Sequence, residues 1–241
     1  MFPATYDYCG WITSGLVMSN GGQYFNHDYD GEVYYNAPSS LGALTFLDTL
    51  VNRAKVMPSG VSDANACTTA FFAGKTGMMV LSTGSLSFVR TNMKLPYRVA
   101  FILRNAAPIG GASLILPKGN SPQRQAAAWT LINWLTSPAI AGEWSRFTGY
   151  FAPRKAAYDL PNMKTYLAEH PDAKVALDQL EYAAPWFDTF NTIAVRKAME
   201  DQVQAILSVK TTPADAIAAA QKNADALLRP YVEQTALKPI A

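Results

Sequence analysis

The hydrophobic pattern of the first half of the chain alternates between two kinds of segment. Apolar residues spaced three and four apart predict helices, and short apolar runs predict strands. The predicted helical segments are 39–56, 66–73 and a turn at 85–90. The predicted strands are 76–81, 97–103 and 112–116. This alternation is typical of an α/β fold.

The second half is predicted to be almost entirely helical. Ser121 can cap a helix that runs to Leu135, and Pro122 suits the first turn of that helix. Further helices are predicted at 138–147, 160–169, 172–182, 193–207 and 212–228. Pro230 is expected to end the last of them. The chain is therefore predicted to be an α/β protein with a helical tail.

Composition narrows the classes of protein and partner. The chain has 241 residues, of which 49% are hydrophobic and 16% charged, so it can bury a sizeable core. A net charge of +2 gives no reason to expect a nucleic-acid partner. The N-terminal segment lacks the basic residues and unbroken apolar stretch of a secretory signal, so no export signal is expected in the chain as given. Cys9 and Cys67 are either two buried thiols or a disulfide of an exported protein.

Motifs of catalysis and cofactor binding are missing. His27 and His170 lie far apart and have no Cys or His at ligand spacing, so no metal site is expected. The AGKTG sequence at 73–77 lacks the first glycine of a P-loop. The glycine pair at 110–111 precedes a predicted strand, whereas dinucleotide-binding glycines follow one. There is no G-x-S-x-G motif, and no cofactor is expected.

Hydroxyl and aromatic side chains offer candidate ligand contacts. The turn STGS supplies Ser82 and Ser85, and its glycine lets backbone N–H groups approach a ligand; an ordinary turn is the alternative. Tyr6, Tyr8 and Trp11 can stack on a sugar ring or pack in the core.

One arginine is a further candidate. Arg196 lies in the first turn of a predicted helix, where its guanidinium can bind a phosphate or carboxylate in bidentate fashion. The alternative is a surface pair with Glu200, one turn further along the helix.

Five segments in a fixed order give the chain a specific resemblance. They are FFAGKTGMMVLSTGSL, PIGGASLILPKG, AAAWTLINWLTSP, EWSRFTGYFAPRKAAYDLP and TPADAIAAAQKNADALLRPY. Over nearly its whole length, the chain resembles family 1 extracellular solute-binding proteins of ABC importers, most of all the sn-glycerol-3-phosphate-binding proteins and their sugar-binding relatives. The resemblance implies a type II periplasmic binding protein-like fold, in which two α/β lobes close on a ligand.

The resemblance also implies a division into lobes. Residues 1–104 and 152–235 would form the second lobe, with 105–151 as a strand-helix-helix piece of the first lobe and 236–241 as a tail. Full family members are longer and begin with a signal peptide and most of the first lobe. The chain is therefore expected to be a truncated copy.

Ligand contacts follow from the same resemblance. Ser82 matches the serine of an SSGSL-like turn, and Gly111 matches the glycine before ASL, whose backbone N–H contacts the ligand. Tyr150 matches the tyrosine of TGY, and Arg196 the arginine ahead of the penultimate helix's acidic stretch. Tyr8 stands where the family has a stacking tryptophan. The segment PWFDTFNTIAV departs from the glycerol-phosphate pattern, so the ligand stays open between glycerol 3-phosphate, a glycerophosphodiester and a sugar.

The implied function is that of a periplasmic binding protein, not an enzyme, which delivers its solute to ABC permease subunits in the membrane. The alternatives are a hydrolase of phosphoesters or glycosides, which needs paired carboxylates or a metal, and a non-functional fragment. The helices within 105–151 are expected to expose an apolar patch, which predicts self-association or binding of a first-lobe fragment. Its residues are Trp129, Ile132, Trp134, Leu135, Ile140, Trp144 and Phe147.

Overall fold

The computed structural model describes residues 1–102 and 106–235, which form ten α-helices and two short strands. The helices are α1 Tyr8–Ser19, α2 Pro38–Asp48, α3 Ala64–Phe72, α4 Leu86–Asn92, α5 Pro122–Leu135, α6 Pro138–Thr148, α7 Pro161–Glu169, α8 Pro171–Asp178, α9 Thr192–Leu207 and α10 Pro213–Thr235. Strands β1 Ala107–Ile109 and β2 Ala183–Pro185 pair in parallel, with Ala107 opposite Ala183. In the described part of the chain, no helix is both long and apolar enough to cross a membrane.

The chain divides into two compact units. Unit 1 comprises Met1–Val80, Ile102–Ile109 and Tyr182–Ala241, and unit 2 comprises Leu81–Phe101 and Gly110–Glu181. These borders differ from the lobe borders expected after residues 104 and 151. The first of those borders and the 236–241 tail lie outside the described residues. The assignment of lobes therefore stays a prediction.

The core of unit 1 is centred on α9 and α10. One apolar face of α9 is almost fully buried, and alanines at four-residue spacing on α10 let the two helices approach closely. The buried residues of that face include Val195, Met199, Val203 and Ile206. The buried alanines are Ala216, Ala220 and Ala224. Cys9 and Cys67 are both buried, free thiols, as the first of the two sequence alternatives predicts.

Unit 2 has a smaller core. Leu86, Met163 and Tyr166 pack in it with three alanines. Beside it, the guanidinium of Arg90 forms an ion pair with Asp172 at 3.0 Å. Within the described residues, α5 has no buried side chain, so its apolar residues face solvent.

The predicted strands are wrong. Met78 in the first is 82% exposed and Ile115 in the third is 80% exposed, and neither segment pairs into a ladder. The described part of the second segment, 97–102, is not a strand, and position 103 lies outside the described residues. A short apolar run forms a strand only if another strand pairs with it, and the run itself does not show whether such a partner exists. The observed ladder forms instead at 107–109 and 183–185.

The helix predictions succeed where capping signals exist. Ser121 accepts a hydrogen bond from the backbone N–H of Arg124, at the start of α5 as predicted. The prediction for Pro230 is wrong, because α10 continues through it to Thr235. A proline near a helix end removes a single hydrogen bond, and the buried Leu228 holds the preceding turn in place. The sequence did not predict α1, because α1 is buried on most sides and lacks an amphipathic pattern.

Candidate functional site

Two tryptophans and an arginine meet in unit 1. Trp11 lies on α1, Trp186 directly follows β2, and Arg196 lies in the first turns of α9. The two indole rings have centroids 4.4 Å apart, and the guanidinium carbon of Arg196 lies 4.6 Å from the Trp186 ring centroid. The backbone N–H of Trp186 donates to the carbonyl of Ile109 at 2.8 Å, which fixes this tryptophan beside the strand pair. The site therefore consists of two indole rings tilted by 45° to each other, with a cation over the Trp186 ring.

Arg196 is paired with two carboxylates. Its Nη2 donates to Oδ1 of Asp7, and its Nε lies 3.3 Å from Oε1 of Glu200. The predicted pair between Arg196 and Glu200 is confirmed, but it is not a surface pair, because Glu200 is only 1% exposed. The Asp7 side chain, by contrast, is 69% exposed. We call Asp7, Trp11, Trp186, Arg196 and Glu200 the arginine cluster.

Glu200 is the buried anchor of this cluster. Burial raises the pKa of its carboxyl above the ordinary value, and Arg196 offsets part of that rise. Oε1 also accepts the backbone N–H of Asp7 at 2.9 Å. A Cβ on Gly10 would overlap the same oxygen, so only glycine fits at this point of α1. Burial, with a contribution from Glu200, raises the pKa of the adjacent Cys9 thiol to about 12.

The remaining aromatic candidates lie beside the cluster. Tyr8 is partly buried and packs against the core of unit 1, as in the core-packing alternative. The Tyr6 hydroxyl donates to Asp201 at 2.7 Å, and the ammonium of Lys197 lies 4.5 Å from the Tyr6 ring centroid.

The sequence analysis missed Trp186 and Asp7. Trp186 belongs to the PWFDTFNTIAV segment, whose departure from the glycerol-phosphate pattern was the available signal. A cavity of about 270 Å³ within unit 1 borders Trp186, and its lining includes the aromatic side chains of Tyr24, Phe25 and Phe187.

In unit 2 the predicted turn and tyrosine lie together. Ser82 Oγ accepts the N–H of Gly84 at 3.3 Å, and the N–H of Ser85 donates to the Ser82 carbonyl at 3.0 Å. The ring of Tyr150 lies so close to Gly84 that a Cβ there would overlap its Cζ. Gly149, with φ of 95°, ends α6 and directs the chain into Tyr150.

Gly111 is not part of that group of contacts. It lies in an exposed segment, and no atom stands within 4 Å of the position that a Cβ would take. The candidates are thus divided, with Ser82, Ser85, Gly111 and Tyr150 in unit 2 and Tyr8, Trp11 and Arg196 in unit 1. Among the residues described, no group of three His, Cys, Asp or Glu side chains is arranged to hold a metal ion.

Comparison with known proteins relates the chain to one family. A sequence profile of bacterial extracellular solute-binding proteins matches residues 3–175. The sn-glycerol-3-phosphate-binding periplasmic protein UgpB of Escherichia coli K12 is 26% identical over 245 aligned positions, which cover 94% of this chain and 56% of that protein. The chain thus spans little more than half the length of the curated relatives that it matches.

Solved structures show the same fold. The crystal structure of UgpB from Mycobacterium tuberculosis in complex with glycerophosphocholine matches with a TM-score of 0.81 at 22% identity, covering 98% of this chain and 58% of that one. Maltose-bound MalE3 of T. maritima matches with a TM-score of 0.81 at 26% identity, covering 94% of this chain and 60% of that one.

Proposed function

Since the chain belongs to the family of bacterial extracellular solute-binding proteins, we propose that it captures a small solute for an ABC transporter. The solute class is a glycerol 3-phosphate, a glycerophosphodiester or a sugar. The first of these classes is what the relative UgpB of Escherichia coli binds, and the last includes the maltose bound to MalE3 of T. maritima. Delivery to membrane permease subunits and a periplasmic location belong to the same proposal.

The observation that carries the proposal is the arginine cluster. The two tilted indole rings supply an apolar surface against which the C–H face of a sugar or glycerol moiety can pack. The guanidinium and the Asp7 carboxylate supply a donor and an acceptor at the edge of that surface. Apolar surface with a few convergent polar groups is the usual construction of a small-molecule site.

The family resemblance adds candidate ligand contacts within unit 2. We assign Ser82, Ser85 and Tyr150 as hydroxyl contacts and Gly111 as a backbone N–H contact. The packing of Tyr150 against Gly84 supports this assignment, because it fixes the ring beside the Ser82 turn.

Calorimetric titration with sn-glycerol 3-phosphate, glycerophosphocholine and maltose tests the proposal. We expect saturable binding of at least one of them without turnover, and a weaker signal for Trp11→Ala. Trp129→Ala, an exposed tryptophan on α5, is the matched control and should bind as the wild type does. Absence of binding to all three by the folded chain would overturn the proposal. Hydrolysis of a chromogenic phosphoester or glycoside would favour a hydrolase instead.

The proposal also covers a protein partner. Several large apolar side chains of α5 and α6 are exposed, including Trp129, Trp134, Trp144 and Phe147, whereas Ile132 and Ile140 are partly buried. Exposed apolar surface of this kind marks an interface, either with a second copy of the chain or with a first-lobe segment.

A further inference from the structure

Asp7 directly precedes α1, but neither its backbone conformation nor its side chain is that of an ordinary helix cap. It is the N-cap residue of α1, yet its side chain makes no capping hydrogen bond. Aspartate is a preferred N-cap because its carboxylate accepts the free N–H groups of the first turn. Here the carboxylate accepts from Arg196 instead. Its backbone, with φ of 71° and ψ of −56°, lies in the rare and strained γ-turn region.

The strained backbone is held by the cluster itself. The N–H of Asp7 donates to the buried Glu200, whose carboxylate also lies against Nε of Arg196. A pair with an exposed partner adds little to folding stability, and Asp7 is 69% exposed. Strain retained without a gain in stability is typical of functional sites.

The charges around Arg196 disfavour an anionic ligand. One guanidinium faces two carboxylates, Asp7 and Glu200. The neighbouring Lys197 already forms an ion pair, because its ammonium lies 2.6 Å from the Asp201 carboxylate. A phosphate would have to displace Asp7 from Arg196 and would then remain beside a carboxylate of the same sign. A sugar hydroxyl, in contrast, can donate to Asp7 and accept from Arg196 while the ring stacks on Trp186.

We infer that Asp7 determines the specificity of this site by excluding phosphate and favouring uncharged, polyhydroxylated solutes. The part of the inference that concerns solute class rests on the proposed function. The exclusion of anions is a property of the cluster and can be measured without a physiological solute.

The first test is a titration with inorganic phosphate, monitored by tryptophan fluorescence, because the Trp186 ring lies 4.6 Å from the Arg196 guanidinium carbon. We expect Asp7→Asn to bind phosphate at least about tenfold more tightly than the wild type does. Asp225→Asn is the matched control, since it removes one carboxylate, on α10, that accepts from Gln221, and it leaves Asp7 on Arg196 and Asp201 on Lys197. Asp7→Gly is a second variant, because glycine adopts the positive φ without strain.

The second test compares maltose with sn-glycerol 3-phosphate on the wild type and on Asp7→Asn. We expect the ratio of the two affinities to shift towards the phosphate by about tenfold or more in the variant. Equal phosphate binding by wild type, Asp7→Asn and Asp7→Gly would overturn the inference, as would an equal gain in Asp225→Asn. If the folded wild type and variants bind neither solute, the proposed function fails, and the phosphate titration still decides the role of Asp7.

Discussion

Arg196 neutralises a carboxylate that has almost no access to water. Removal of one partner of a buried ion pair leaves an uncompensated charge and typically costs 3–5 kcal/mol. We therefore expect Arg196→Ala to lower the free energy of unfolding by about 3 kcal/mol, measured by urea denaturation. Lys197→Ala is the control, because that lysine pairs with an exposed carboxylate, and it should cost less than about 1 kcal/mol. Equal losses in the two variants would contradict this account.

The raised pKa of Glu200 predicts a dependence of stability on pH. The native state holds this proton at a pH where the unfolded chain has already released it. Stability contributed by the residue must therefore fall as the pH rises between the unfolded and folded pKa values. We expect the free energy of unfolding of the wild type, relative to Glu200→Gln, to decrease as the pH rises above the ordinary glutamate pKa of about 4.3. A difference in unfolding free energy that stays constant or increases over that range would show that burial is not the main influence on the pKa of Glu200.

Single residues of the site were predictable only where the contact is local. The pair of Arg196 with Glu200 follows from their spacing of four on one helix. The contact of Arg196 with Asp7 joins residues 189 positions apart, and no local pattern encodes it. An aspartate before a helix is ordinarily interpreted as a cap, so the sequence pointed away from its observed role.

At the scale of elements, Gly84, just before α4, and Gly149, at the end of α6, allow the start of α4 to pack closely against the end of α6. Gly84→Ala would force the Tyr150 ring away, because the added Cβ would overlap it. If Tyr150 donates one hydrogen bond to the solute, loss of that bond weakens binding by about tenfold. We therefore expect the Gly84→Ala variant to bind the wild-type solute about tenfold more weakly. Gly77→Ala is the control, since its Cβ meets nothing within 4 Å. Unchanged affinity in the folded Gly84→Ala variant, measured by calorimetry, would remove Tyr150 from the site.

Helices were more predictable than strands for a physical reason. Caps such as Ser121 and Ser137 are local signals, and both accept a backbone N–H at the start of a helix. Strand pairing depends on a distant partner, and segments such as 112–116 have none in the described chain. Tertiary packing likewise explains why α1, which is apolar on most sides, was missed.

At the scale of the whole molecule, the exposed apolar side chains of α5 and α6 predict association. We expect sedimentation velocity to detect a dimer or larger species as concentration rises, and the double variant Trp134→Ser/Trp144→Ser to weaken it. Ile193→Ser is the control, because it removes an equally exposed apolar side chain on α9. A wild type that is monomeric at high concentration and binds no hydrophobic dye would contradict the prediction.

The overall fold was predictable from the order of five segments rather than from periodicity. Periodicity alone indicated an α/β protein, but most of its strands are absent among the described residues. The segment order indicated a periplasmic binding protein-like fold, which the solved relatives confirm. The sequence predicted a lobe made of two separate stretches, and the compact units are discontinuous too, but their borders lie at other residues, so the lobe assignment stays a prediction.

The short ladder between β1 and β2 has a consequence for the order of folding. It joins residues 107 and 183, so about 75 residues of chain form a loop when it closes. Closure of such a loop costs about 4 kcal/mol in chain entropy, which exceeds the free energy that the three residue pairs of the ladder can contribute. The ladder must therefore form after the helices around it have collapsed. In a pulse-labelled refolding experiment, we expect the Trp186 amide, which donates to Ile109, to be among the last in unit 1 to gain protection from hydrogen exchange.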